Sequence, residues 1–358
     1  MSLRSTAASL SRIRKSGPSK KSPLSPLKPK PKQPKRAASK SNDDDHSKLT
    51  ILDHNVHLQY ELSGQSSMLD AIDQLVLNQW SEQNMYHDRH YSQEAKQNAS
   101  NSPSDLLFLL RGLSMEVKAE ILKYRSQQLP SGILTVNQLY TMFDHMGNTF
   151  VDRSLEMCIR EGLIKKFVIT NALPVILRNG QIGFNPKVTY GYENTDVVVK
   201  TDQYISLIEE SKDGDDGTLT KFRTYVENNP ESLFVTNEDF SAPQLSLLVN
   251  LGFLTLTSNH HNEIDVHQYS ISFPKCGTFL KIINAGRTWL VKTLGKSKYD
   301  ELLEDVLFEK WEGKNLANFR KPFYGYDLLW VLADARGAGV VEAFNTPVGR
   351  CWRLTGKL

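Results

Sequence analysis

Arg160-Glu161-Gly162-Leu163-Ile164, Asn250-Leu251-Gly252-Phe253-Leu254 and Arg336-Gly337-Ala338-Gly339-Val340-Val341 share one grammar: a helix-like run ends at glycine and passes straight into an aliphatic or aromatic run. Glycine enters the left-handed turn that closes a helix without a Cβ penalty, and the residues that follow suit a strand of a small sheet. Gly162, Gly252 and Gly339 are 90 and 87 residues apart. Helices followed by a hairpin, recurring at domain spacing, predict three tandem winged helices, a helix-turn-helix variant whose commonest use is to dock a helix on DNA. The expected fold class is α+β and mostly helical.

Outward from Gly162, the first unit is expected over residues 104–200. Leu106, Leu107, Leu109 and Leu110 mark one short helix, Met115 to Tyr124 a second, and Thr135 to Phe143 a third with Thr135 as its cap. A fourth helix, Asn148 to Glu161, carries Val151, Leu155, Cys158 and Ile159 as an apolar stripe, with Arg153 and Arg160 on the opposite face. That is the pattern of a recognition helix, although two arginines on a merely solvated face give the same letters. Leu163 to Ile169 and Val175 to Ile182 then read as the strands of a wing, with Lys165 and Lys166 as further candidate DNA contacts.

The second unit is expected over residues 201–275, with helices at Tyr204 to Ile208, Leu219 to Val226 and Ala242 to Leu251, then strands at Phe253 to Thr257 and Val266 to Ile271. Its recognition position offers Leu245, Leu247, Leu248, Val249 and Leu251 and no cation, which suits burial or a protein partner better than a groove. The third unit is expected over residues 276–358. It opens on a helical run from Cys276 to Leu294, where Lys281 and Lys292 share a face if Gly286 does not interrupt the helix. With Lys275, Arg287, Lys296 and Lys298 this is the densest basic region outside the N-terminal tail, and phosphate contact is favoured over a solvated interdomain face. Helices from Lys298 to Phe308 and Tyr326 to Arg336 precede a hairpin from Val340 to Leu354. On its last strand Arg350 and Trp352 point one way and Arg353 the other. Arg350 is expected on a backbone phosphate and Trp352 in packing; Arg353 joins the candidate DNA contacts.

The N-terminal part has a different composition. Residues 1–40 hold 12 of the 43 Lys and Arg and no Asp or Glu, leaving 31 cations against 40 acids in the remainder, so the folded part must cluster its cations to attract phosphate. Residues 1–48, rich in Pro and Ser and without apolar periodicity, are expected to be a disordered tail. Lys20 and Lys21, followed by Lys28, Lys30, Lys32, Lys35 and Arg36, read as a bipartite nuclear import signal; a mitochondrial presequence over residues 1–17 is the alternative, disfavoured by the prolines that follow. Ser22-Pro23 and Ser25-Pro26 have the form of proline-directed phosphorylation sites, a form common in any such tail. In residues 49–86, Met68, Leu69, Ile72, Leu75, Val76 and Trp80 recur at helical steps, giving an amphipathic helix that either caps the body or binds a partner. Residues 87–103 read as a polar linker.

Several chemistries are excluded. Cys158, Cys276 and Cys351 are few and far apart, so neither a disulfide framework nor a cysteine metal knuckle is expected, and a reducing compartment is. The best apolar stretch, Phe279 to Leu294, contains Lys281, Arg287 and Lys292, so no membrane span and no membrane partner is expected. A glycine-rich phosphate loop before a helix, a Val-Ala-Ile-Lys strand, a His-Arg-Asp loop with its Asn and an Asp-Phe-Gly are all missing from the sequence. His87-Asp88-Arg89-His90 only scrambles the catalytic-loop letters, and Arg336-Gly337-Ala338-Gly339 follows a helix, the wrong order for a dinucleotide fingerprint. His260, His261 and His267 lack a partner at ligand spacing and read as a solvated loop. We therefore expect no catalytic residue, no metal, no cofactor and no small-molecule substrate.

From Gly132 onward the chain resembles the serine/threonine-protein kinase 19 family. The resemblance is carried by Leu248-Val249-Asn250-Leu251-Gly252-Phe253-Leu254-Thr255, Phe279-Leu280-Lys281, Lys298-Tyr299-Asp300-Glu301-Leu302-Leu303 with Leu307, and Tyr326-Asp327-Leu328 before the Gly349 to Leu354 strand. It covers about two thirds of the chain. It implies a nuclear protein of three winged helices that binds double-stranded DNA and works in transcription-coupled nucleotide excision repair, in contact with repair and transcription proteins. The kinase of the family's name conflicts with the missing kinase motifs. The basic tail, the linker and an insertion around Ser258 to Glu263 depart from the family pattern, and no single DNA-contacting residue is carried over from it. The expectation is thus a non-enzymatic, backbone-directed DNA-binding protein; the alternative is a scaffold whose winged helices bind proteins.

Overall fold

The computed structural model describes residues 67–83, 103–169, 195–211, 216–256, 268–313 and 317–356. All belong to the unit Leu49–Leu358. The tail with its import signal and Ser-Pro pairs, the residue 87–102 linker, the Val175 to Ile182 strand and the histidines of the second wing lie outside them.

Ser67 opens the first described element. Its hydroxyl accepts from the Asp70 amide and the Asp70 carboxylate accepts from the Ser67 N–H, a reciprocal cap that starts α1 (Met68–Leu77). Met68, Ala71, Ile72 and Leu75 are buried in the main core, so this amphipathic helix caps the body. Beyond it Trp80 pairs with Tyr326, 246 residues away, as an isolated antiparallel bridge. The helices α2 (Pro103–Leu109) and α3 (Met115–Gln128) follow, the second capped by Ser114.

From Leu134 the chain writes one sheet topology three times, the second copy with a single helix between its first strand and its hairpin. The first copy runs β1 (Leu134–Thr135), α4 (Val136–Met142), α5 (Asn148–Arg160), β2 (Ile164–Ile169) and β3 (Thr195–Lys200). After α6 (Thr201–Glu210) and α7 (Asp216–Asn228), the second runs β4 (Phe234–Thr236), α8 (Ala242–Leu251), β5 (Leu254–Leu256) and β6 (Gln268–Ile271). After α9 (Cys276–Leu294), the third runs β7 (Glu301–Leu303), α10 (Glu304–Glu312), α11 (Leu328–Gly337), β8 (Val341–Thr346) and β9 (Gly349–Leu354). Each antiparallel sheet places the third strand between the other two: β1-β3-β2, β4-β6-β5 and β7-β9-β8. A short strand before the helices thus joins the outer side of the hairpin that follows them, which is the winged-helix plan.

The glycines that predicted this plan adopt positive φ: +73° at Gly162, +84° at Gly252 and +73° at Gly339. Strand β3 is an element the sequence reading did not include, and one predicted helix changes. Among the described residues β2 pairs with Thr195–Lys200, in the register Ile164↔Lys200 to Ile169↔Thr195. The helix predicted from Lys298 to Phe308 is split: Glu301–Leu303 pairs with Arg353, Trp352 and Cys351 on β9, and the helix begins only at Glu304. Leu302, Leu303 and Leu307 fit helical spacing, but ladder hydrogen bonds to a strand some 50 residues away decide the outcome.

One hydrophobic cluster runs through all three copies and α1, from Ile72 through Phe167, Tyr204 and Phe253 to Phe279, Trp330 and Trp352. The first and third copies meet along α4 and α11. Thr141 Oγ1 donates to the Ala333 carbonyl at 2.6 Å and Gln138 Nε2 to the Trp330 carbonyl at 3.1 Å. A Cβ on Gly337 would stand 1.8 Å from the Asn137 carbonyl oxygen, so only glycine permits this approach. The recognition position of the third copy is consequently sealed: every residue from Leu328 to Ala335 is buried.

Candidate nucleic-acid interface

The basic residues singled out by charge fall into three groups. Lys165, Arg287 and Arg350 are interior or half-buried structural cations, which corrects their assignment to a DNA surface. Lys165 on β2 is 1% exposed, and its ammonium donates to the carbonyls of Asn229, Pro230 and Ser232 at 3.1, 2.9 and 2.8 Å. These oxygens belong to the turn after α7, so the lysine ties the first copy to the second and occupies the negative end of a helix. Burial lowers its pKa from 10.5 to about 8, so it remains charged at neutral pH. Arg287 chelates Asp334, at 2.8 Å through Nε and 3.1 Å through Nη2. Arg350 is held by both carboxylate oxygens of Glu304, which also accepts from Trp352 Nε1 at 2.7 Å. Pairing each of these charges in the interior is the condition for burying it at all.

A second group is exposed or half-exposed but held by a partner. Arg160 lies against Glu156 at 2.9 Å and Glu231 at 3.6 Å, Lys166 against Asp196 at 2.6 Å, and Arg353 against Glu342 at 2.6 Å. Lys275, itself at positive φ before α9, is exposed and donates to the Ser126 carbonyl at 3.0 Å, which holds the ammonium in place without neutralising it.

The third group is exposed and makes no ion pair with a described residue: Arg153 on α5, Lys281 and Lys292 on α9, and Lys296 and Lys298 just beyond it. Gly286 does not interrupt α9; it lets Val331 of α11 approach, where a Cβ would meet a methyl carbon at 2.7 Å. At about 100° per residue, Lys281 and Lys292 project within roughly 20° of each other and about 16 Å apart along the axis. Thr278 and Thr288, which reading by charge alone passes over, fall on the same helix face and add hydroxyl donors. From Val266 to Tyr299 the chain has no Asp or Glu in 34 residues. The α9 face therefore presents two exposed lysines that pair with no described carboxylate.

The helices in the recognition position differ from this. The exposed residues of α8 include Ser246 and Asn250 and no charged group, while Leu245 and Leu248 are buried. The α11 helix is interior, and α5 balances Arg153 and Arg160 against Asp152 and Glu156. Among the described residues no group of His, Cys, Asp or Glu is arranged to hold a metal ion, and no helix is long and apolar enough to cross a membrane.

Fold and surface together define a tandem winged-helix protein with a cationic helix face that lies outside the recognition position. Residues 104–354 match the family described as inactive serine-threonine protein kinase 19, and the chain belongs to that family. Serine/threonine-protein kinase mug51 of Schizosaccharomyces pombe is 31% identical over 140 residues, which make up 39% of this chain and 43% of that protein. The chain thus matches less than half the length of this relative.

Proposed function

We propose that this chain is a non-enzymatic nuclear protein that binds duplex DNA through its phosphate backbone and positions factors in transcription-coupled nucleotide excision repair. One observation carries the DNA reading: the α9 face, with Lys281 and Lys292 about three helical turns apart, Lys296 and Lys298 beyond, and no carboxylate in the same stretch. Lysines on phosphates release counterions whatever the base sequence, so affinity falls steeply with salt and discriminates little between sequences. The family described as inactive, together with the missing phosphoryl-transfer motifs, supports a non-enzymatic role.

A salt titration of duplex binding by fluorescence anisotropy tests the reading, with the whole chain and with a chain that starts at Leu49. Retained, salt-dependent binding by the shorter chain is the expected result. Binding that vanishes with residues 1–48 would assign DNA contact to the basic tail and overturn the α9 assignment.

A further inference from the structure

Helix α5 occupies the position from which a winged helix ordinarily reads DNA, yet its exposed face has the chemistry of a protein contact. Met146 in the preceding turn is 47% exposed, Phe150 37% and Met157 52%. At 100° per residue Phe150, Met157 and Arg153 fall within about 60° of one another, so they form one stripe with the arginine at its edge. The Phe150 ring leans on buried Phe143, 5.6 Å between centroids, which fixes it on the surface as a packed platform. Methionine, phenylalanine and arginine are the side chains enriched in protein interfaces, and methionine adapts to apolar partners of varied shape.

The charges around the stripe argue against a groove of phosphates. Arg160 is held by Glu156 and Glu231, and the Asp152 carboxylate accepts from Tyr140 Oη at 2.6 Å. This leaves Arg153 as the helix's arginine with no carboxylate against it among the described residues. A duplex would meet the acids of the same helix. An apolar surface carrying a single carboxylate would satisfy everything the stripe presents.

We propose that the α5 face is a docking site for an amphipathic helix of another protein, one whose apolar side covers Met146, Phe150 and Met157 and whose carboxylate pairs with Arg153. Within α5 the stripe from Phe150 to Met157 rises about 10 Å, which matches about two turns, or roughly seven residues, of a partner helix. This surface is separate from the α9 lysines, and the proposal does not depend on DNA binding.

The test uses the full chain as bait for a phage-displayed library of helix-forming 18-residue peptides, counter-selected with the Met157→Asp variant. Selected peptides are expected to carry an Asp or Glu amid apolar residues at helical spacing. By anisotropy they should bind wild type at least about tenfold more tightly than Phe150→Asp, Met157→Asp or Arg153→Glu. Unchanged thermal melting of the variants establishes that they fold. Selection of no peptide that distinguishes wild type from Met157→Asp overturns the proposal, as do peptides indifferent to Arg153→Glu. Self-association abolished by Met157→Asp would make a second copy the occupant and overturn it too. Duplex affinity separates the two readings. It should be unchanged in Met157→Asp, and a loss as large as that of Lys281→Glu would place DNA on α5 and overturn the docking assignment. A wild-type chain that binds peptide but no DNA would sink only the DNA reading.

Discussion

Thr135 of the first winged helix donates its hydroxyl proton to Asp334 of the third at 2.7 Å, while the same oxygen caps α4 by accepting from the Gln138 amide. Asp334 is in turn chelated by Arg287. Three elements of two repeats converge on one buried carboxylate, so the first and third copies behave as a single packed body. Asp334→Ala, which strands Arg287 and the Thr135 hydroxyl, should cost about 3–5 kcal/mol in urea unfolding. Thr135→Val should cost about 1–2 kcal/mol. A double-mutant cycle should show strong coupling between the two positions; additive losses would mean that the contact carries no energy of its own.

Gly337 should tolerate no side chain. Alanine there would need the α4 backbone at Asn137 to retreat by more than an ångström, so Gly337→Ala should lower stability by about 2 kcal/mol or more. Thermal melting measures it, with Gly277→Ala, whose Cβ would meet open space, as the control.

The Lys165 ammonium makes stability depend on pH in a specified direction. Its pKa of about 8 in the folded chain lies below the ordinary 10.5, so between these values the unfolded chain binds more protons and stability rises with pH. The burial cost is complete below about pH 8 and is relieved as pH climbs toward 10.5. Relative to Lys165→Met, the wild type should gain on the order of 3 kcal/mol across that window. Equal pH dependence of the two proteins in urea unfolding would show that burial does not lower the lysine's pKa.

Charge reversal separates the surfaces that bind DNA from those that do not. Lys281→Glu with Lys292→Glu should weaken duplex binding by at least about tenfold and flatten the salt dependence by roughly two phosphate contacts, with no change in melting temperature. Gln244→Glu with Asn250→Asp on α8 should leave binding nearly unchanged. Equal losses from both pairs would place DNA on α8 as well.

ATP turnover above background is not expected, because the chain lacks a phosphate-cradling lysine, a metal-binding Asp and a catalytic-loop base at the spacings phosphoryl transfer uses. The decisive measurement compares purified wild type with Lys281→Glu, Asp334→Asn and Lys165→Met. Phosphorylation lost through any substitution in a variant that stays folded would restore the kinase reading, whereas activity indifferent to all of them belongs to a contaminant.

Elements closed by local chemistry were legible in the sequence. The bounds of α8 follow from Ser241, which joins Gln244 in a capping box, and from Gly252 in the left-handed conformation; both signals lie within the helix's own neighbourhood. The start of β7 was not legible, because only its pairing with β9 distinguishes three residues of strand from the first turn of a helix. Charge was visible and burial was not. Lys165 looks like any wing lysine until the turn after α7 arrives to receive it. Arg350 did carry a clue. Strand alternation puts it on the side of Trp352, so a Trp that packs inward takes the arginine in with it, and Glu304 is what makes that possible.

The bridge between Trp80 and Tyr326 imposes an order on biosynthesis. Trp80 leaves the ribosome 246 residues ahead of Tyr326, a delay of roughly 10–50 s at ordinary elongation rates. Throughout that interval Trp80 lacks the Tyr326 ring that stands 4.7 Å from it, Ser81 lacks the Gly325 and Tyr326 carbonyls to which its hydroxyl donates, and Glu82 lacks the final geometry in which Arg125 also donates to the Tyr324 carbonyl. Trp80 and Ser81, just beyond α1, therefore wait for their partners until Tyr326 has been made. A chain that stops before residue 326 leaves the Trp80 ring without the aromatic face it packs on and the Gln79 amide without the Tyr326 hydroxyl.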